Sequence, residues 1–387
     1  MHSKNDKATV YLTSPVFFEI ANHPKVSPPF KTKIMALKEE LARDCNLIVS
    51  SKRFPEEAEI IRMVSSRGVD YIGCHISHPI TNQILEIPSV KAVCTSTVGY
   101  DHVFIHPNVL ISHTPSILHK SVADFTIALI LVNLRNLIPM HNFVWSGKWG
   151  KENKWDLDEN LTNILDNLSL GIIGLGEIGK ELVKRIAPWG IKILYYDLIR
   201  NYDLEDKYNK LQYRENIDEV LKESHVVSLH VPLNDATRGL MSEQKLRLLQ
   251  SNALLVNTAR GAVIDFPALI RLLKSQEITI HLAFDVYPEE PLSAEILREF
   301  QEIQEMRADL RITFIPHNAS SDADTRAQMS IMMLEDLLKL SKSKNIDDIK
   351  DVHLIPEQHS LKILELSSEM EKTLNNYRIW NWWQNKD

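Results

Sequence analysis

The sequence predicts an α/β protein made of two doubly wound domains, each a parallel sheet with helices on both faces. Short apolar runs alternate with helical patterns along the whole chain, and this alternation is typical of such sheets. A chain of 387 residues is also longer than one hydrophobic core supports. Its hydrophobic residues (44%) and charged residues (25%) are in the balance of a packed globular protein rather than a disordered one.

The first group of apolar runs predicts the sheet of one domain. Helices near 31–43 and 56–66 separate the early strands, and a long helix over 121–137 follows the last of them. The longest apolar stretch, 125–134, is far shorter than the roughly 20 residues of a membrane span, so we expect a buried helix there. A polar, tryptophan-bearing stretch over 141–163 comes next. The expected strands cover 10–13, 46–50, 71–76, 90–95 and 109–111.

The second group of apolar runs begins near residue 168 and predicts a second sheet. Helices such as 216–223 and 266–275 lie between its strands. Six strands separated in this way are typical of a doubly wound fold. The expected strands cover 170–173, 191–196, 225–231, 253–257, 278–285 and 312–315.

The chain continues beyond the sixth strand of this second group. We expect helices over 320–341 and 361–377. A cluster of aromatic residues near the end needs a surface to cover it, so the tail is expected to dock on the first domain or on a second subunit. The cluster consists of Trp380, Trp382 and Trp383.

Charge and cysteine content narrow the function classes. The net charge of −7 provides no basic field for nucleic acid or acidic lipid, so neither nucleic acid nor a membrane is an expected partner. Residues 1–7 are polar and contain no apolar core of a secretory signal. The three cysteines form neither a CxxC pair nor a cluster with zinc spacing. We therefore expect a cytoplasmic protein without a bound metal.

A glycine motif, G-L-G-E-I-G, occupies residues 174–179 directly after an expected strand and at the start of a helical pattern. In such a motif Gly174 permits a tight turn, Gly176 lets the backbone approach a pyrophosphate, and Gly179 lets helix and strand pack closely. The alternative is a strand-turn-helix that merely packs tightly. Because the chain has only 12 glycines, three at this spacing favour a dinucleotide-binding Rossmann domain.

An acidic residue, Asp197, closes the strand that follows the glycine motif, 18 residues after Gly179. A carboxylate at this position accepts hydrogen bonds from the adenosine ribose and repels a 2′-phosphate. The sequence therefore predicts NAD rather than NADP as the cofactor.

Three polar residues follow successive strands of the second group: Arg260, Glu290 and His317. Each has an ordinary structural explanation as a surface ion pair, a solvated loop charge or a capped loop residue. However, open α/β sheets bind their ligands at the carboxyl ends of the strands. Three such residues at neighbouring strand ends therefore indicate a catalytic site.

With these motifs the chain resembles the D-isomer-specific 2-hydroxyacid dehydrogenases, and the motifs run in family order over about 10–355. The glyoxylate/hydroxypyruvate reductase branch is the most similar, through 98–101 and the F-V-W-S-G-K-W stretch at 143–149. The other motifs that carry the resemblance are 121–124 (S-V-A-D), 174–179, 230–233 (H-V-P-L), 256–261 (V-N-T-A-R-G), 285–291 (D-V-Y-P-E-E-P) and 316–317 (P-H).

The resemblance implies a domain organisation as well as an activity. It implies a flavodoxin-like substrate-binding domain over 1–114 and 318–387, with a Rossmann NAD-binding domain, 115–317, inserted in it. The implied activity is that of an NAD-dependent oxidoreductase that moves a hydride between nicotinamide and C2 of a small 2-hydroxy or 2-oxo acid. The resemblance also implies a homodimer.

The family resemblance assigns roles to individual residues. Arg260 resembles the arginine that holds the substrate carboxylate and the C2 oxygen, for which a planar guanidinium is suited. His317 resembles the general acid/base, and Glu290 the carboxylate that orients the imidazole and stabilises its charged form. Asp285 resembles the partner of the nicotinamide carboxamide. Five further histidines are expected to be structural, since one proton shuttle suffices: His75, His78, His102, His113 and His230.

The same resemblance implies two sets of binding positions. The substrate carboxylate and C2 oxygen are expected to contact Ile76, Ser77, Val98, Gly99, Arg260 and His317. The expected cofactor-binding residues are Gly174, Gly176, Glu177, Ile178, Gly179, Asp197, Val231, Pro232, Thr258, Ala259, Arg260 and Asp285.

The substrate and even the enzymatic role leave alternatives open. The 76–80 loop contains neither Arg nor Lys, which disfavours a phosphorylated substrate such as phosphoglycerate and favours glyoxylate or hydroxypyruvate. A carboxylate at Glu290 disfavours formate. An NAD(H)-sensing interaction protein like the C-terminal-binding co-repressors is the alternative from another class. A charged insert at 295–307 and the extension after 357 depart from the family pattern and leave the substrate range open.

Overall fold

The structure, a computed structural model, describes residues 7–150, 156–359, 361 and 376–384. The chain divides into two compact units. Unit 1 comprises Met1–Leu118 together with Ser321–Asp387, and unit 2 comprises His119–Ser320. The changes from one unit to the other thus occur at 118/119 and 320/321, whereas the family resemblance implies them at 114/115 and 317/318.

Unit 1 contains a five-stranded parallel sheet in the order β2-β1-β3-β4-β5. This 2-1-3-4-5 order is the flavodoxin-like one, and it confirms the predicted fold. Helices cover the sheet because parallel neighbours need crossover connections. The strands are β1 (Thr9–Leu12), β2 (Asn46–Val49), β3 (Tyr71–Cys74), β4 (Ala92–Thr95) and β5 (Leu110–Ser112), and the helices before β5 are α1 (Val16–Glu19), α2 (Pro28–Asp44), α3 (Glu57–Arg67) and α4 (Asn82–Leu85).

The segment that returns after unit 2 completes unit 1. Helix α13 (Ala323–Lys342) packs on α2 and on the sheet, and its first turn is capped by the side chain of Asp322. Gly73 of β3 permits this close packing, because a Cβ there would lie 2.6 Å from Leu12 and 2.9 Å from Leu337. Residues 352–358 then run along the edge of β5, where Ile355 donates to the carbonyl of Ile111 at 3.0 Å.

The aromatic tail docks on unit 1, which is one of the two surfaces that the sequence analysis considers. Ile379 and Trp383 of the last helix, α14 (Arg378–Gln384), are buried in the core of unit 1. The ring of Trp382 stands edge-on to Tyr71 at 6.4 Å. Most of the helix expected over 361–377 lies outside the described residues.

Unit 2 contains a seven-stranded parallel sheet in the order β12-β11-β10-β9-β6-β7-β8. This is the Rossmann order extended by one strand, and it confirms the predicted fold of this unit. All six expected strands are present, but β8, which pairs with β7 at the sheet edge, was not predicted. The strands are β6 (Ser169–Ile173), β7 (Lys192–Tyr196), β8 (Leu211–Tyr213), β9 (Val226–Leu229), β10 (Ala253–Asn257), β11 (Ile280–Phe284) and β12 (Ile312–Phe314).

Several helices of unit 2 begin at side-chain caps. Asn216, Asp265 and Ser293 each accept a hydrogen bond from the backbone N–H three residues further on, which stabilises the first turn. The helices are α5 (His119–Leu134), α6 (Leu137–Trp145), α7 (Glu177–Ile186), α8 (Tyr202–Lys207), α9 (Ile217–Glu223), α10 (Glu243–Leu246), α11 (Phe266–Lys274) and α12 (Ala294–Met306).

The long helix predicted over 121–137 is wrong at its C-terminal end. The chain leaves α5 after Leu134, and Asn136 takes a left-handed conformation with φ of 52° before α6 begins. The two helices meet at a bend of 61°. No single helix in the described part of the chain is long and apolar enough to cross a membrane, although α5 and α6 together reach that length.

The charged insert at 295–307 forms α12 and belongs to the core of unit 2. Phe300 and Ile303 are buried on its inner face. Phe300 contacts Phe266 and Phe314 with ring centroids 6.2 and 4.9 Å away. The insert therefore stabilises the sheet next to β12.

Candidate active site

The glycine turn lies between β6 and α7, as the motif predicts. Gly174 has φ of 96°, and a Cβ there would lie 2.6 Å from the carbonyl oxygen of His230, so only glycine fits. A Cβ on Gly179 would overlap the carbonyl oxygen of Gly174. These two glycines hold strand and helix at close contact.

The backbone at Gly176 has a different environment that suits a diphosphate. No atom lies within 4 Å of the position where its Cβ would be, so the backbone is open to an approaching group. Glu177 and Ile178 form the first turn of α7, and the positive end of the helix dipole lies at this turn. The turn therefore fits the pyrophosphate of a dinucleotide.

Asp197 follows β7, and its carboxylate is tied to the glycine turn. Oδ2 accepts a hydrogen bond from the backbone N–H of Leu175 at 2.5 Å, and Oδ1 has a long contact of 3.4 Å to the N–H of Ile199. The neighbouring cation, Arg200, forms an ion pair with Glu205 at 2.7 Å. A 2′-phosphate would meet a fixed carboxylate and a guanidinium already paired with another acid, so the site favours NAD.

The loop after β10 is shaped by Asn257, a buried residue to which the sequence analysis assigns no role. Its Nδ2 donates to the carbonyl of Arg260 at 2.9 Å, and its Oδ1 accepts from the N–H of Ala259 at 3.0 Å. Arg260 itself donates from Nη1 to the carbonyl of Ala259 at 2.8 Å. Asn257 is fully buried, and the only signal of it in the sequence is an amide directly after the apolar run 253–256, which does not reveal its hydrogen-bond partners.

Gly261 brings the Arg260 loop against the loop that carries Glu290. A Cβ on Gly261 would overlap the carbonyl carbon and oxygen of Tyr287. The backbones of the two loops are therefore in direct contact, with no room for a side chain between them.

Glu290 and His317 form a hydrogen-bonded pair after β11 and β12. Nδ1 of His317 lies 2.6 Å from Oε2 of Glu290, and Oε1 accepts from the N–H of Tyr287 at 3.0 Å. Burial acts to raise the pKa of Glu290, but the hydrogen bond and charge of His317, the N–H of Tyr287 and the charge of Arg260 together lower it below its ordinary value. Glu290 is therefore a carboxylate, and Nδ1 of His317 carries the shared proton.

The backbone at His317 is fixed in a conformation that non-glycine residues rarely adopt, with φ of 49°. Its N–H donates to the carbonyl of Asp285 at 2.8 Å. The carboxylate of Asp285 accepts from the N–H groups of Asn318 and Ala319 at 2.6 and 2.8 Å. Burial raises the pKa of Asp285 despite these two donors. Asp285 thus holds the segment after His317 in place, a role that the sequence does not predict.

The structure brings the three expected catalytic residues to the carboxyl ends of adjacent strands, β10, β11 and β12. The residues expected to bind the cofactor after β9 and β10 lie along the same edge of the sheet. Thr258 contacts Thr126 through their hydroxyl groups at 3.1 Å, Ala259 follows it, and Val231 and Pro232 follow β9. Ile76, Ser77, Val98 and Gly99 belong to unit 1, so their expected substrate contacts stay a prediction.

Comparison with known proteins decides the family. A sequence profile described as "D-isomer specific 2-hydroxyacid dehydrogenase, NAD binding domain" matches residues 127–319, which lie within unit 2. Glyoxylate reductase of Thermofilum pendens is 31% identical over 308 residues, covering 78% of this chain and 86% of the relative. The chain belongs to the D-isomer-specific 2-hydroxyacid dehydrogenase family. Glyoxylate reductase of Thermococcus litoralis is 33% identical over 284 residues, which are 72% of this dehydrogenase and 82% of the relative.

Solved structures have the same fold as this 2-hydroxyacid dehydrogenase. The TT0316 protein of Thermus thermophilus superposes with a TM-score of 0.69 at 25% identity, covering 86% of the dehydrogenase and 96% of its own chain. A glyoxylate reductase of Paecilomyes thermophila gives 0.71 at 24% identity, covering 91% and 99%. At that identity the second likeness concerns the fold alone.

Family membership confirms the predicted enzyme class and cofactor. This 2-hydroxyacid dehydrogenase is an NAD-dependent oxidoreductase that acts on a CH–OH group. In the described residues, no group of three or more His, Cys, Asp or Glu side chains could hold a metal ion.

Proposed function

We propose that this dehydrogenase reduces a small, unphosphorylated 2-oxo acid such as glyoxylate or hydroxypyruvate to the 2-hydroxy acid with NADH. The observation that carries the proposal is the His317–Glu290 hydrogen bond of 2.6 Å after two adjacent strands, next to the strand that leads to Arg260. The general acid His317, the carboxylate of Glu290 and the guanidinium of Arg260 belong to the same unit as the glycine turn. The relatives from Thermofilum pendens and Thermococcus litoralis are named glyoxylate reductases, which supports this substrate class.

The residues of the site have distinct tasks in this proposal. When bound, the reduced nicotinamide supplies the hydride that reaches C2. Arg260 binds the substrate carboxylate with its planar guanidinium, which never deprotonates. His317 donates a proton from Nε2 to the C2 oxygen, because Nδ1 is engaged with Glu290. Glu290 keeps the imidazole oriented and stabilises its charged form. The contact of Asp285 with the nicotinamide carboxamide stays a prediction.

The absence of a basic residue from the 76–80 loop supports an unphosphorylated substrate. The 76–80 loop lacks Arg and Lys, and neutralising a phosphate normally requires one of them. Phosphoglycerate is therefore the less favoured substrate. We propose that Ile76, Ser77, Val98 and Gly99 of unit 1 contact the substrate through backbone N–H groups.

A substrate panel tests the proposed function. Absorbance at 340 nm would follow NADH oxidation with glyoxylate, hydroxypyruvate, pyruvate and 3-phosphohydroxypyruvate, and NAD reduction with the matching hydroxy acids. We expect turnover of the small unphosphorylated acids and a lower kcat/KM for the phosphorylated one. Tight NADH binding without turnover of any acid would refute the proposal and favour an NAD(H)-sensing interaction protein.

Replacing Asp197 with asparagine is expected to relax the discrimination against NADPH. Asparagine keeps an oxygen for the N–H of Leu175 but removes the charge that repels a 2′-phosphate. We expect the NADH/NADPH ratio of kcat/KM to fall about tenfold or more, the effect of about 1.4 kcal/mol. The exposed Asp206 of α8, changed to asparagine, is the matched control. A native preference for NADPH would contradict the assignment of Asp197.

The surface of α6 supports the proposal of a homodimer. In the described chain no residue of α6 is buried, although the helix is rich in apolar side chains. Val144 and Trp145 are 52% and 83% exposed, and Leu137 and Ile138 are also exposed. Such a patch indicates a protein interface, and we propose that a second copy of the chain covers it.

Light scattering after size exclusion tests the dimer. We expect twice the chain mass of 44.5 kDa for the wild type and the monomer mass for a V144E/W145E variant. Met306→Glu, another exposed apolar position outside α6, should remain dimeric. A monomeric wild type would refute the homodimer.

We also propose a cytoplasmic location. The three cysteines of the chain are buried and unpaired, as expected of reduced core thiols. Fractionation with a marker enzyme tests this location.

A further inference from the structure

A histidine that follows the neighbouring strand β5 hydrogen-bonds to the peptide group between Val98 and Gly99. Nδ1 of His113, directly after β5, lies 2.8 Å from the carbonyl oxygen of Val98. His113 is buried, with only 7% of its surface exposed. One residue further on, the N–H of Thr114 donates to the carbonyl of Thr97 at 2.8 Å. The segment after β5 thus holds two successive carbonyl groups of the loop after β4.

The hydrogen bond to Val98 determines the tautomer of His113. A carbonyl oxygen can only accept, so Nδ1 must carry the proton. Burial is the largest influence on the pKa of His113 and, with the charges of His359 and His353, lowers it below its ordinary value, although the hydrogen bond to Val98 and the charge of Asp336 act to raise it. His113 is therefore a neutral, permanent donor near pH 7 rather than a second proton shuttle.

The position of His113 is itself fixed by contacts within unit 1. Its backbone N–H donates to the carbonyl of His353 at 2.9 Å. His353 donates from its own N–H and from Nδ1 to the fully buried carboxylate of Asp336 at 3.0 Å each. The ring of Tyr100 stands edge-on to the imidazole at 5.4 Å. A chain of contacts from α13 therefore supports the ring that holds the Val98 carbonyl.

We propose that His113 is a positioning residue that aligns the N–H of Gly99 for the substrate carboxylate. The carbonyl of Val98 and the N–H of Gly99 belong to one planar peptide unit, so a donor that holds the oxygen also fixes the direction of the N–H. A hydrogen bond at the carbonyl also polarises the peptide and strengthens its N–H as a donor. The inference rests on the proposed function, in which Gly99 binds the substrate.

Three substitutions of His113 separate positioning from simple packing. Asparagine places an amide nitrogen as many bonds from Cα as Nδ1 and can replace the lost donor. Glutamine places it one bond further, and leucine fills space without a donor. His106→Leu is the matched control, since His106 is also buried in unit 1 but bonds to the N–H of Asn108.

Steady-state kinetics with glyoxylate and NADH should show a split between KM and kcat. We expect KM for glyoxylate to rise about tenfold or more in the His113→Leu and His113→Gln variants, because a charge-assisted contact to the carboxylate is weakened. The kcat and the Kd of NADH should change less than about threefold, and His113→Asn and the His106→Leu control should remain near wild type. Hydrogen exchange of the peptide over 97–103 should be faster in His113→Gln than in His113→Asn.

The outcomes distinguish this inference from the proposed function. Equal KM values in the wild type, His113→Gln and His113→Leu would overturn the role of His113 while leaving the reductase activity established. If His113→Leu does not fold, the comparison of asparagine with glutamine decides, and equal KM values for these two overturn the inference. A wild type without turnover of any 2-oxo acid overturns the proposed function and this inference with it.

Discussion

Replacing His317 with alanine is expected to lower kcat about 10²- to 10⁴-fold, the usual contribution of general acid catalysis. The change removes the imidazole that is hydrogen-bonded to Glu290 at 2.6 Å, so the C2 oxygen would have to take its proton from water. NADH binding should remain within a few-fold of wild type, because the glycine turn lies at a different strand, β6. Single-turnover absorbance at 340 nm and fluorescence titration with NADH measure the two effects separately.

Two further variants test whether the loss comes from proton transfer. Glu290→Gln keeps the size of the side chain but removes its charge, so we expect a smaller loss of kcat than in His317→Ala. His225→Ala is the matched control, because His225 is exposed and directly precedes β9, at the amino ends of the strands rather than the carboxyl ends. A His317→Ala enzyme with wild-type kcat would reassign the general acid.

The sequence predicts those elements of the fold that have a clear apolar run or a characteristic residue spacing of their own. The glycine motif and the strands around it were predicted because apolar runs and the glycine spacing are strong local signals. Strand β8 (Leu211–Tyr213) lies in a polar stretch and buries only Leu211, so it shows no apolar run. The end of α5 was missed because the break depends on one left-handed residue, Asn136, inside a continuing apolar pattern. Tertiary packing decides both features.

In the candidate site too, the sequence predicts residues that have a local signal but not those whose role depends on contacts with distant parts of the chain. Arg260, Glu290 and His317 could be proposed from sequence because each follows a recognisable strand. The tasks of Asn257 and Gly261 could not, since they arise from contacts with Arg260 and Tyr287 that no spacing reveals. The predicted domain boundaries and the predicted substrate contacts of unit 1 remain predictions.

Replacing Gly261 with alanine is expected to lower kcat/KM at least about 100-fold, although Gly261 has no side chain to take part in the chemistry. Its Cβ would overlap the carbonyl group of Tyr287, which is backbone and cannot rotate away as a side chain could. The loops that carry Arg260 and Glu290 must then separate. A displacement of about 1 Å at such a site costs on the order of 10²-fold in rate. Overpacking should also destabilise the protein by about 1–3 kcal/mol, measured by chemical denaturation.

The Gly261→Ala enzyme should still bind NADH, and this separates loop displacement from general unfolding. The glycine turn at 174–179 and Asp197 are held by contacts of their own, because the N–H of Gly174 donates to the carbonyl of Tyr196 and the N–H of Leu175 donates to Asp197. Gly150→Ala is the control, because no atom lies within 4 Å of the Cβ position there. Wild-type kcat/KM in Gly261→Ala would show that the separation of the two loops does not matter. An intact NADH affinity with a 100-fold lower kcat/KM would instead mean that the reaction depends on the backbone contact that keeps guanidinium and carboxylate together.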